Sequence, residues 1–476
     1  MSVPVRRRRL RPLLLAFGAL VLVAALGLTA VAGPGVTCGS ISLDFGTPTY
    51  ANAAARTAEW GATQDGYSDA QIDAIAASNS DFFIPKFAEG FDVVKQFEDV
   101  RRLKASAAKQ GRTLRVMMYI NAQYWLSVND DAWQPYAASF EPSFLLKDAG
   151  GAKVPFYGLQ GTQNGGDRTL GYTLDLADPG YRAWILGVAL DWLKQAPLDG
   201  VVFDEANPLL GDQKIRKSSG DGAAVVNDLL CGKHAPVDAD GDCDRVVAWN
   251  DGLADTLKGV TDAFRPLGKQ VIYNGVAASQ LRENRNVGLL EVTDGASNEA
   301  FCYSPSVVKP TEEQFRPFAD DAAMMQQVAQ DGRRLFEITN YQTPQRQPFG
   351  DYCLAGFLMG WQPGSSFLIY HESYADLASG GPQLAEQRLN LGEPTTTGYD
   401  TTGSVLSRTF QRGFVAVNAG DETAKFVAPR NGSQYRAGEL VGRIGAGAEL
   451  TMPPRSAVFF LDAPAVPGAG KLLGIC

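Results

Sequence analysis

Residues 198–206 read LDGVVFDEA, an apolar run that ends in two adjacent carboxylates, Asp204 and Glu205. The run predicts a buried strand over residues 198–204. A helix is predicted just before it, over residues 181–194, because Asp178 can cap its N-terminus and Pro179 fits its first turn. A helix that leads into a buried strand is the repeating unit of a parallel sheet.

The same unit recurs along the chain. The first strand is ambiguous, since either residues 41–45 or residues 58–63 could supply it. The other strands are predicted at residues 81–87, 114–121, 271–275, 295–301, 335–341 and 367–371, with helices at 69–78, 93–109, 249–264, 312–330 and 352–361. Eight such units favour an α/β fold of the closed (β/α)8 TIM-barrel type. A doubly wound open sheet is the alternative, but no glycine-rich phosphate-binding motif follows an early strand.

The pattern changes near residue 392. From Ser404 onward, short alternating runs such as GFVAVN (413–418) and AVFFL (457–461) are separated by turn residues. They predict a small C-terminal antiparallel β-sandwich. The expected organisation is a signal peptide or signal anchor over residues 1–37, a barrel over 40–391 and the sandwich over 392–476. A segment rich in Cys and Asp, residues 211–248, is predicted as an insertion in the barrel.

The N-terminus carries the targeting signal. Five arginines between Arg6 and Arg11 precede an apolar run from Leu13 to Ala32. A basic start, an apolar core and a small-residue end describe a secretory signal peptide. The run is also long enough to be an uncleaved anchor, and Cys38 loosely resembles a lipoprotein acceptor. All three alternatives predict a secreted or cell-surface protein that meets a membrane only through this segment.

Charge and cysteine content restrict the function further. A net charge of −9, with no Lys/Arg cluster after the first residues, argues against nucleic-acid binding. Cysteines in an exported chain predict disulfides, and we expect the pairs Cys231–Cys243 and Cys302–Cys353. Two histidines and no CxxC motif make zinc an unsuitable cofactor. We expect the protein to be a monomer.

Catalytic groups of a TIM barrel come from the carboxyl ends of different strands. Polar residues at the ends of the predicted strands are therefore the candidates for substrate contact. Carboxylates and amides with few cations suit a neutral polyol, whereas a phosphate would require more positive charge. The predicted substrate-binding residues are Lys86, Tyr119, Asn121, Glu205, Asn274, Glu337, Tyr341 and His371.

Glycoside hydrolysis requires two carboxyl groups, one to protonate the leaving oxygen and one to act as nucleophile or base. Side-chain alternation places Val202 and Asp204 on one face of their strand, so Asp204 points into the barrel mouth if the valine lines the barrel. Glu205 then lies against the next loop. In residues 295–301 the same alternation pairs Ser297 with Glu299. One strand-end Asp could equally be a helix cap, so the predicted catalytic pair, Asp204 and Glu299, depends on acids at both strands.

A second signal is VDADGDCD, residues 237–244. Its four acids alternate around Gly241 and resemble the start of a calcium loop, although the terminal Glu of an EF-hand is absent. The segment predicts a structural Ca²⁺ clamped by the Cys231–Cys243 disulfide; a solvated acidic turn is the alternative. The predicted ligands are Asp238, Asp240, Asp242 and Asp244. No cofactor is expected to be required for catalysis.

Several motifs resemble known barrel glycosidases. LDGVVFDE (198–205) is similar to the fourth-strand signature of melibiase- and polygalactosaminidase-type enzymes, and of uncharacterised bacterial glycoside hydrolases of the glycosyl hydrolase-like family 15 type. LDLADPGYRAWI (174–185) resembles their lead into helix 3. VIYNG and TDGASNEAF resemble strands 5 and 6 of the uncharacterised group, and GFVAVN…MPPRSAVFFL resembles the trailing β-sandwich.

This resemblance implies that Asp204 is the nucleophile and Glu299 the general acid/base of a retaining enzyme. The chain departs from the melibiase pattern because it has Glu rather than Asp at the sixth strand. The acid/base assignment and the stereochemical outcome therefore stay open. Many barrel glycosidases use Glu at strands 4 and 7 instead, which here are Glu205 and Glu337, but the usual Asn does not precede Glu205.

The sequence thus predicts an exported glycoside hydrolase acting on an oligo- or polysaccharide. A carbohydrate-binding barrel without turnover and a calcium-dependent surface protein are the alternatives. The sugar, its anomer and the choice between endo and exo action are not predictable. Specificity is expected to depend on loops such as residues 122–170, which carry Trp125, Trp133 and Tyr157.

Overall fold

The computed structural model describes residues 57–61, 66–78, 80–85, 92–126, 129–156, 171–207, 222–239, 241–276, 288–299, 301–302, 318–340, 346–371, 389–436 and 439–462. Several sequence predictions fall outside these ranges: the targeting segment, a strand at residues 41–45, Lys86, Tyr157, Asp240 and Tyr341. Of His371, only the backbone is described.

Eight parallel strands close into a barrel, which confirms the predicted fold class. They are β1 (Thr57–Gly61), β2 (Ser80–Pro85), β3 (Arg115–Asn121), β4 (Gly200–Asp204), β5 (Gln270–Asn274), β6 (Gly295–Asn298), β7 (Arg334–Asn340) and β8 (Ser366–His371). Each strand pairs with the next in the chain, and β8 pairs with β1. The first strand is therefore the later of the two predicted alternatives.

Helices lie between the strands, as expected of a parallel barrel. They are α1 (Asp69–Ala77), α2 (Val93–Lys109), α3 (Pro179–Gln195), α4 (Gly222–Cys231), α5 (Asp244–Phe264), α6 (Gly288–Val292), α7 (Phe318–Gln330) and α8 (Arg346–Gly360). The predicted start of α3 is confirmed, because Asp178 accepts a hydrogen bond of 2.7 Å from the Gly180 N–H and Pro179 occupies the first turn.

Inward-facing side chains fill the barrel as a separate apolar cluster. Its members are Phe82, Ile84, Met117, Tyr119, Val202, Ile272, Phe336, Ile338, Phe367 and Ile369. They alternate along each strand with residues that pack against the helices. Val202 is inside, which is the condition under which Asp204 also faces inward.

The segment between β3 and α3 is more ordered than the loop predicted from sequence. It contains a three-stranded antiparallel sheet of Tyr124–Leu126, Pro155–Phe156 and Gly171–Thr173. Trp125 stacks on Phe140 at 4.0 Å between ring centroids, and Trp133 lies 6.4 Å from Trp184 of α3. Trp125 and Trp133 are only 6% and 5% exposed, so both belong to the core of this segment, which we call the excursion (residues 122–178).

Both predicted disulfides are present. Cys231–Cys243 joins the end of α4 to the residue before α5. Cys302–Cys353 ties the segment after β6 to α8. Each bond restricts a segment that follows a barrel strand.

The C-terminal part is a β-sandwich, as predicted. Its strands are β9 (Asp400–Thr402), β10 (Val405–Phe410), β11 (Gly413–Asn418), β12 (Ala424–Val427), β13 (Gly432–Arg436), β14 (Glu439–Ile444), β15 (Glu449–Met452) and β16 (Ser456–Leu461). One sheet has the order β9-β10-β11-β16-β13-β14, and β12 pairs with β15. Phe414, Phe426, Met452 and Phe460 pack between the two sheets.

The outer face of the larger sheet docks on the barrel through Arg408. This buried side chain donates hydrogen bonds to the carbonyl oxygens of Leu358 and Trp361, at 3.0 and 2.8 Å. Phe410 stacks on the Trp361 ring at 6.3 Å. The sandwich therefore packs against the C-terminal end of α8. Among the described residues, no helix is long and apolar enough to cross a membrane.

Candidate active site

Four neighbouring strands bring polar side chains together at the carboxyl end of the barrel. Tyr119 of β3 donates a hydrogen bond to Asp204 Oδ2 at 2.6 Å. Asn274, the last residue of β5, donates to Asp204 Oδ1 at 2.6 Å. Ser297 of β6 donates to Asn274 Oδ1 at 2.9 Å. These four buried side chains form one hydrogen-bonded chain across the barrel mouth.

Asp204 is the centre of this chain. Its carboxylate is 4% exposed and accepts a third hydrogen bond, 2.9 Å long, from the Glu205 backbone N–H. Three donors fix the orientation of the carboxylate and stabilise its negative charge. The alternation argument that aimed Asp204 into the mouth therefore agrees with its observed contacts.

The backbone turns sharply directly after Asp204. Glu205 has φ 57°, a left-handed conformation that non-glycine residues rarely adopt. The Ala206 N–H donates a hydrogen bond to the Asn274 carbonyl oxygen at 3.0 Å. Gly275 (φ 135°) lies next to Asn207, because a Cβ added to Gly275 would be only 2.5 Å from Asn207 Oδ1. Residues 205–207, directly after β4, are thus held over the end of β5. Glu205 supports Asp204 through its backbone; a role for its half-buried side chain in substrate binding stays a prediction.

Glu299, the predicted partner of Asp204, directly follows β6. The strand ends at Asn298 and not at residue 301, so Glu299 lies in a turn and is half-buried. It is two residues beyond the inward-facing Ser297. The chain around it is anchored by the Asn298 amide on one side and by the Cys302–Cys353 disulfide on the other. The pairing of Glu299 with Asp204 stays a prediction.

Glu337 does not belong to the mouth, which corrects its prediction as a substrate-binding residue. It lies in β7 between the inward-facing Phe336 and Ile338, so its side chain faces the helix layer. It is fully buried and accepts a hydrogen bond of 2.8 Å from Asn298 Nδ2. Burial and the neighbouring Asp321 of α7 raise the pKa of Glu337 well above its usual range, while the Asn298 hydrogen bond lowers it. The alternative catalytic pair Glu205 and Glu337 is wrong for the same reason.

Asn121 closes a turn rather than presenting its amide oxygen to a ligand. This oxygen accepts the backbone N–H groups of Gln123 and Tyr124, at 3.0 and 2.9 Å. The turn leads from β3 into the excursion. A substrate contact at Asn121 could therefore use only the amide nitrogen. Lys86, Tyr341 and the His371 side chain lie outside the described part of the chain.

The acidic loop before α5 forms a hydrogen-bonded turn. Asp238 Oδ1 accepts the Asp242 N–H at 2.9 Å, and the Asp238 N–H donates to the Asp242 carbonyl at 2.8 Å. Asp244 is the first residue of α5. The described residues contain no group of three or more acidic, histidine or cysteine side chains that could hold a metal, but Asp240 is not among them. The Ca²⁺ site stays a prediction.

Asp321 was not predicted from the sequence. Asp321 is buried on α7, and its Oδ1 accepts a long hydrogen bond, 3.4 Å, from Asn298 Nδ2. A signal was present, because Asp321 falls three residues after Phe318 and four before Met325, on the apolar face of the helix. A carboxylate on such a face indicates a buried polar partner.

No protein-family model and no curated protein sequence matches the chain. Among solved structures it is similar to an α-amylase from Malbranchea cinnamomea, at 13% identity and a TM-score of 0.48, over 89% of this chain and 99% of that one. It is also similar to a GH27 β-L-arabinopyranosidase from Geobacillus stearothermophilus, at 9% identity and a TM-score of 0.43, over 88% and 98%. A pullulanase from Anoxybacillus sp. LM18-11 is 11% identical, with a TM-score of 0.46, over 91% and 72%. At these identities and TM-scores the similarity assigns neither a family nor an activity to the chain.

Proposed function

We propose that the protein is an exported glycoside hydrolase that cleaves O-glycosidic bonds of an oligo- or polysaccharide at the carboxyl end of its barrel. The observation that carries the proposal is the buried Asp204 carboxylate, oriented by Tyr119, Asn274 and the Glu205 N–H at the mouth. An oriented carboxylate at this end of a TIM barrel is where catalytic groups of this fold lie.

In the proposed mechanism Asp204 is the nucleophile. One of its oxygens bonds to the anomeric carbon as the bond between this carbon and the leaving oxygen breaks. Glu299 gives its proton to the leaving oxygen. Glu299 then takes a proton from water, whose oxygen displaces Asp204 and restores the carboxylate. The three donors suit Asp204 to this role, because they stabilise an anion and a general acid would instead need to hold a proton.

The substrate class follows from the side chains that the structure describes at the mouth. They are neutral or acidic: Tyr119, Asn121, Asp204, Asn274, Ser297 and Glu299. Amide, hydroxyl and carboxylate groups hydrogen-bond sugar hydroxyls, and they offer no countercharge to an anionic substrate. Two carboxylates suffice for this chemistry without a cofactor. Export is supported by the N-terminal sequence and by the two disulfides.

A carbohydrate-binding barrel without turnover is the second candidate. It is favoured by the fact that both Asp204 oxygens already accept hydrogen bonds. In that case the carboxylate would organise the mouth, and sugar hydroxyls would be bound without bond cleavage.

A glycan-panel assay separates the two candidates. The secreted protein is screened for hydrolysis and for binding, and Asp204→Asn and Glu299→Gln are then compared on any glycan that is cleaved. The exposed Asp262, which pairs with Lys258 on α5, provides the matched control Asp262→Asn. Loss of hydrolysis in both site variants, but not in the control, supports the enzyme. Hydrolysis that survives both substitutions refutes the assignment, and binding of a glycan that is never cleaved supports the binding module.

A further inference from the structure

The opposite, N-terminal opening of the barrel carries two inward-facing arginines. Arg115 begins β3 and Arg334 begins β7, each two residues before an interior side chain, Met117 and Phe336. Their guanidinium carbons lie 5.0 and 5.9 Å from the centroid of the Phe82 ring. Four residues of strand separate Arg115 from Tyr119, about 13 Å, so this cluster is distinct from the mouth.

Neither of these two positive charges lies in a direct ion pair with a described residue, although Asp294 acts on Arg334 electrostatically. Among the described residues, no carboxylate forms an ion pair with Arg115 or Arg334. Arg334 Nε is buried and has no hydrogen-bond partner there. Burial lowers the pKa of Arg334, the charge of Arg115 lowers it further, and Asp294 raises it. Two like charges without a direct ion-pair partner in the described structure, one of them opposed by the nearby Asp294, leave a positive potential at this opening.

A cleft of about 440 Å³ adjoins Arg334. Its charged lining residues are four cations and two acids, Arg265, Lys269, Arg333, Arg334, Asp294 and Asp331, and Gln270 lies beside them. Arg265 pairs with Asp294 at 2.9 Å, whereas Lys269 and Arg333 donate to the carbonyl oxygens of Leu198 and Glu291. Carbonyl oxygens carry no net charge, so the cleft keeps an excess of positive charge, four cations against the two acids Asp294 and Asp331. Gln270 Oε1 is buried without a hydrogen-bond partner in the described structure, and this amide oxygen is an acceptor for a hydrogen bond from a hydroxyl.

We propose that this cleft binds a phosphate or sulfate group through Arg334, with Arg333 and Lys269 contributing charge. Guanidinium groups form paired hydrogen bonds to such oxyanions, and a partly buried cleft strengthens the attraction. The acceptor Gln270 Oε1 suits the protonated oxygen of a hydrogenphosphate or a hydroxyl of a phosphate ester. This site is independent of the proposed hydrolysis at the other end of the barrel.

Isothermal titration calorimetry with inorganic phosphate, and then sulfate, tests the proposal. We expect a dissociation constant on the order of 1 mM that weakens as sodium chloride is added. Arg334→Gln should weaken binding at least tenfold, and Arg333→Gln severalfold. The control Arg443→Gln changes an exposed arginine of β14 and should leave binding unchanged.

The outcomes are distinct. Tighter binding of a hexose phosphate than of phosphate identifies an ester as the ligand, and equal binding identifies the free ion. The proposal is overturned if phosphate or sulfate binds the parent protein and the folded Arg334→Gln and Arg333→Gln variants with equal affinity. The lack of any heat of binding at ten times the expected dissociation constant overturns it as well. If Arg334→Gln does not fold, Arg333→Gln and the salt dependence decide.

Discussion

Asp204 and Glu337 are both buried acids on strands of one barrel, and they have opposite surroundings. Asp204 faces inward and accepts three hydrogen bonds from Tyr119, Asn274 and the Glu205 backbone. Glu337 faces outward, accepts one hydrogen bond from Asn298 and lies beside a second acid, Asp321. Burial alone therefore does not identify a reactive carboxylate, since the number and charge of its neighbours decide its protonation.

The difference has a functional consequence. The three donors hold the Asp204 carboxylate in a fixed orientation and stabilise its negative charge, which suits a nucleophile. A carboxyl group beside another acid holds a proton, which suits a structural hydrogen bond inside the helix layer. We therefore expect substitutions at the two sites to affect different measurements, activity for Asp204 and the pH dependence of stability for Glu337.

The largest effect is expected from Asp204→Asn. Removing the nucleophile should lower kcat/KM on a cleaved glycan by about 10³-fold or more, while Glu337→Gln should change it less than tenfold. Steady-state kinetics of the two variants gives the ratio directly. Equal losses in both would remove the distinction between the two acids.

Tyr119→Phe tests one donor to Asp204. The lost hydrogen bond to a charged group should lower kcat/KM by about 10- to 100-fold. Tyr136 donates a similar hydrogen bond, 2.7 Å long, to Asp191 of α3. Tyr136→Phe is therefore the matched control. The control should keep its activity. A larger loss in Tyr136→Phe than in Tyr119→Phe would show that the Asp204 contact is not catalytic.

Glu337→Gln tests the second acid through stability. The native state holds a proton at Glu337 that the unfolded chain releases near pH 4.5. The stability contributed by this proton is therefore present at low pH and is lost as the pH rises above about 4.5 and through the raised pKa, with a slope of up to about 1.4 kcal/mol per pH unit. Urea unfolding across pH should show that Glu337→Gln removes this slope. Glu449→Gln, in an exposed ion pair with Lys425, should keep it.

The smallest effect is expected from Ser297→Ala. Ser297 contacts Asn274 and not Asp204, so the loss of one neutral hydrogen bond, about 1 kcal/mol, should reduce kcat/KM about fivefold. The control is Ser456→Ala, which loses a similar bond to the Pro453 carbonyl in the sandwich. An effect larger than that of Tyr119→Phe would contradict the central position of Asp204.

The barrel and half of the site were predictable because strand alternation is local. The apolar pattern of residues 198–204 was enough to place Val202 inside the barrel and Asp204 at its end. The same rule applied to β7 would have placed Glu337 outside, because Phe336 and Ile338 flank it. The donors Tyr119 and Asn274 could be proposed as strand-end residues, but their contacts depend on the register between strands, which no short stretch encodes.

The remaining features depend on long-range packing. The three-stranded sheet between β3 and α3 pairs strands that are far apart in sequence, near Tyr124 and near Gly171. Turn residues alone did not indicate this pairing. Trp125 and Trp133 were expected in a loop that sets specificity, but Trp184 of α3 packs against both of them. Asn298, the last residue of β6, likewise has its partners, Glu337 and Asp321, later in the chain.

Covalent labelling of the nucleophile tests the central claim most directly. The protein is treated with a 2-deoxy-2-fluoroglycosyl fluoride of the sugar that the glycan panel identifies, digested, and mapped by tandem mass spectrometry. We expect one sugar adduct on the Asp204 side chain, and none in Asp204→Asn. An adduct on Glu205, Glu299 or another carboxylate, or hydrolysis that inverts the anomeric centre without an adduct, would contradict it.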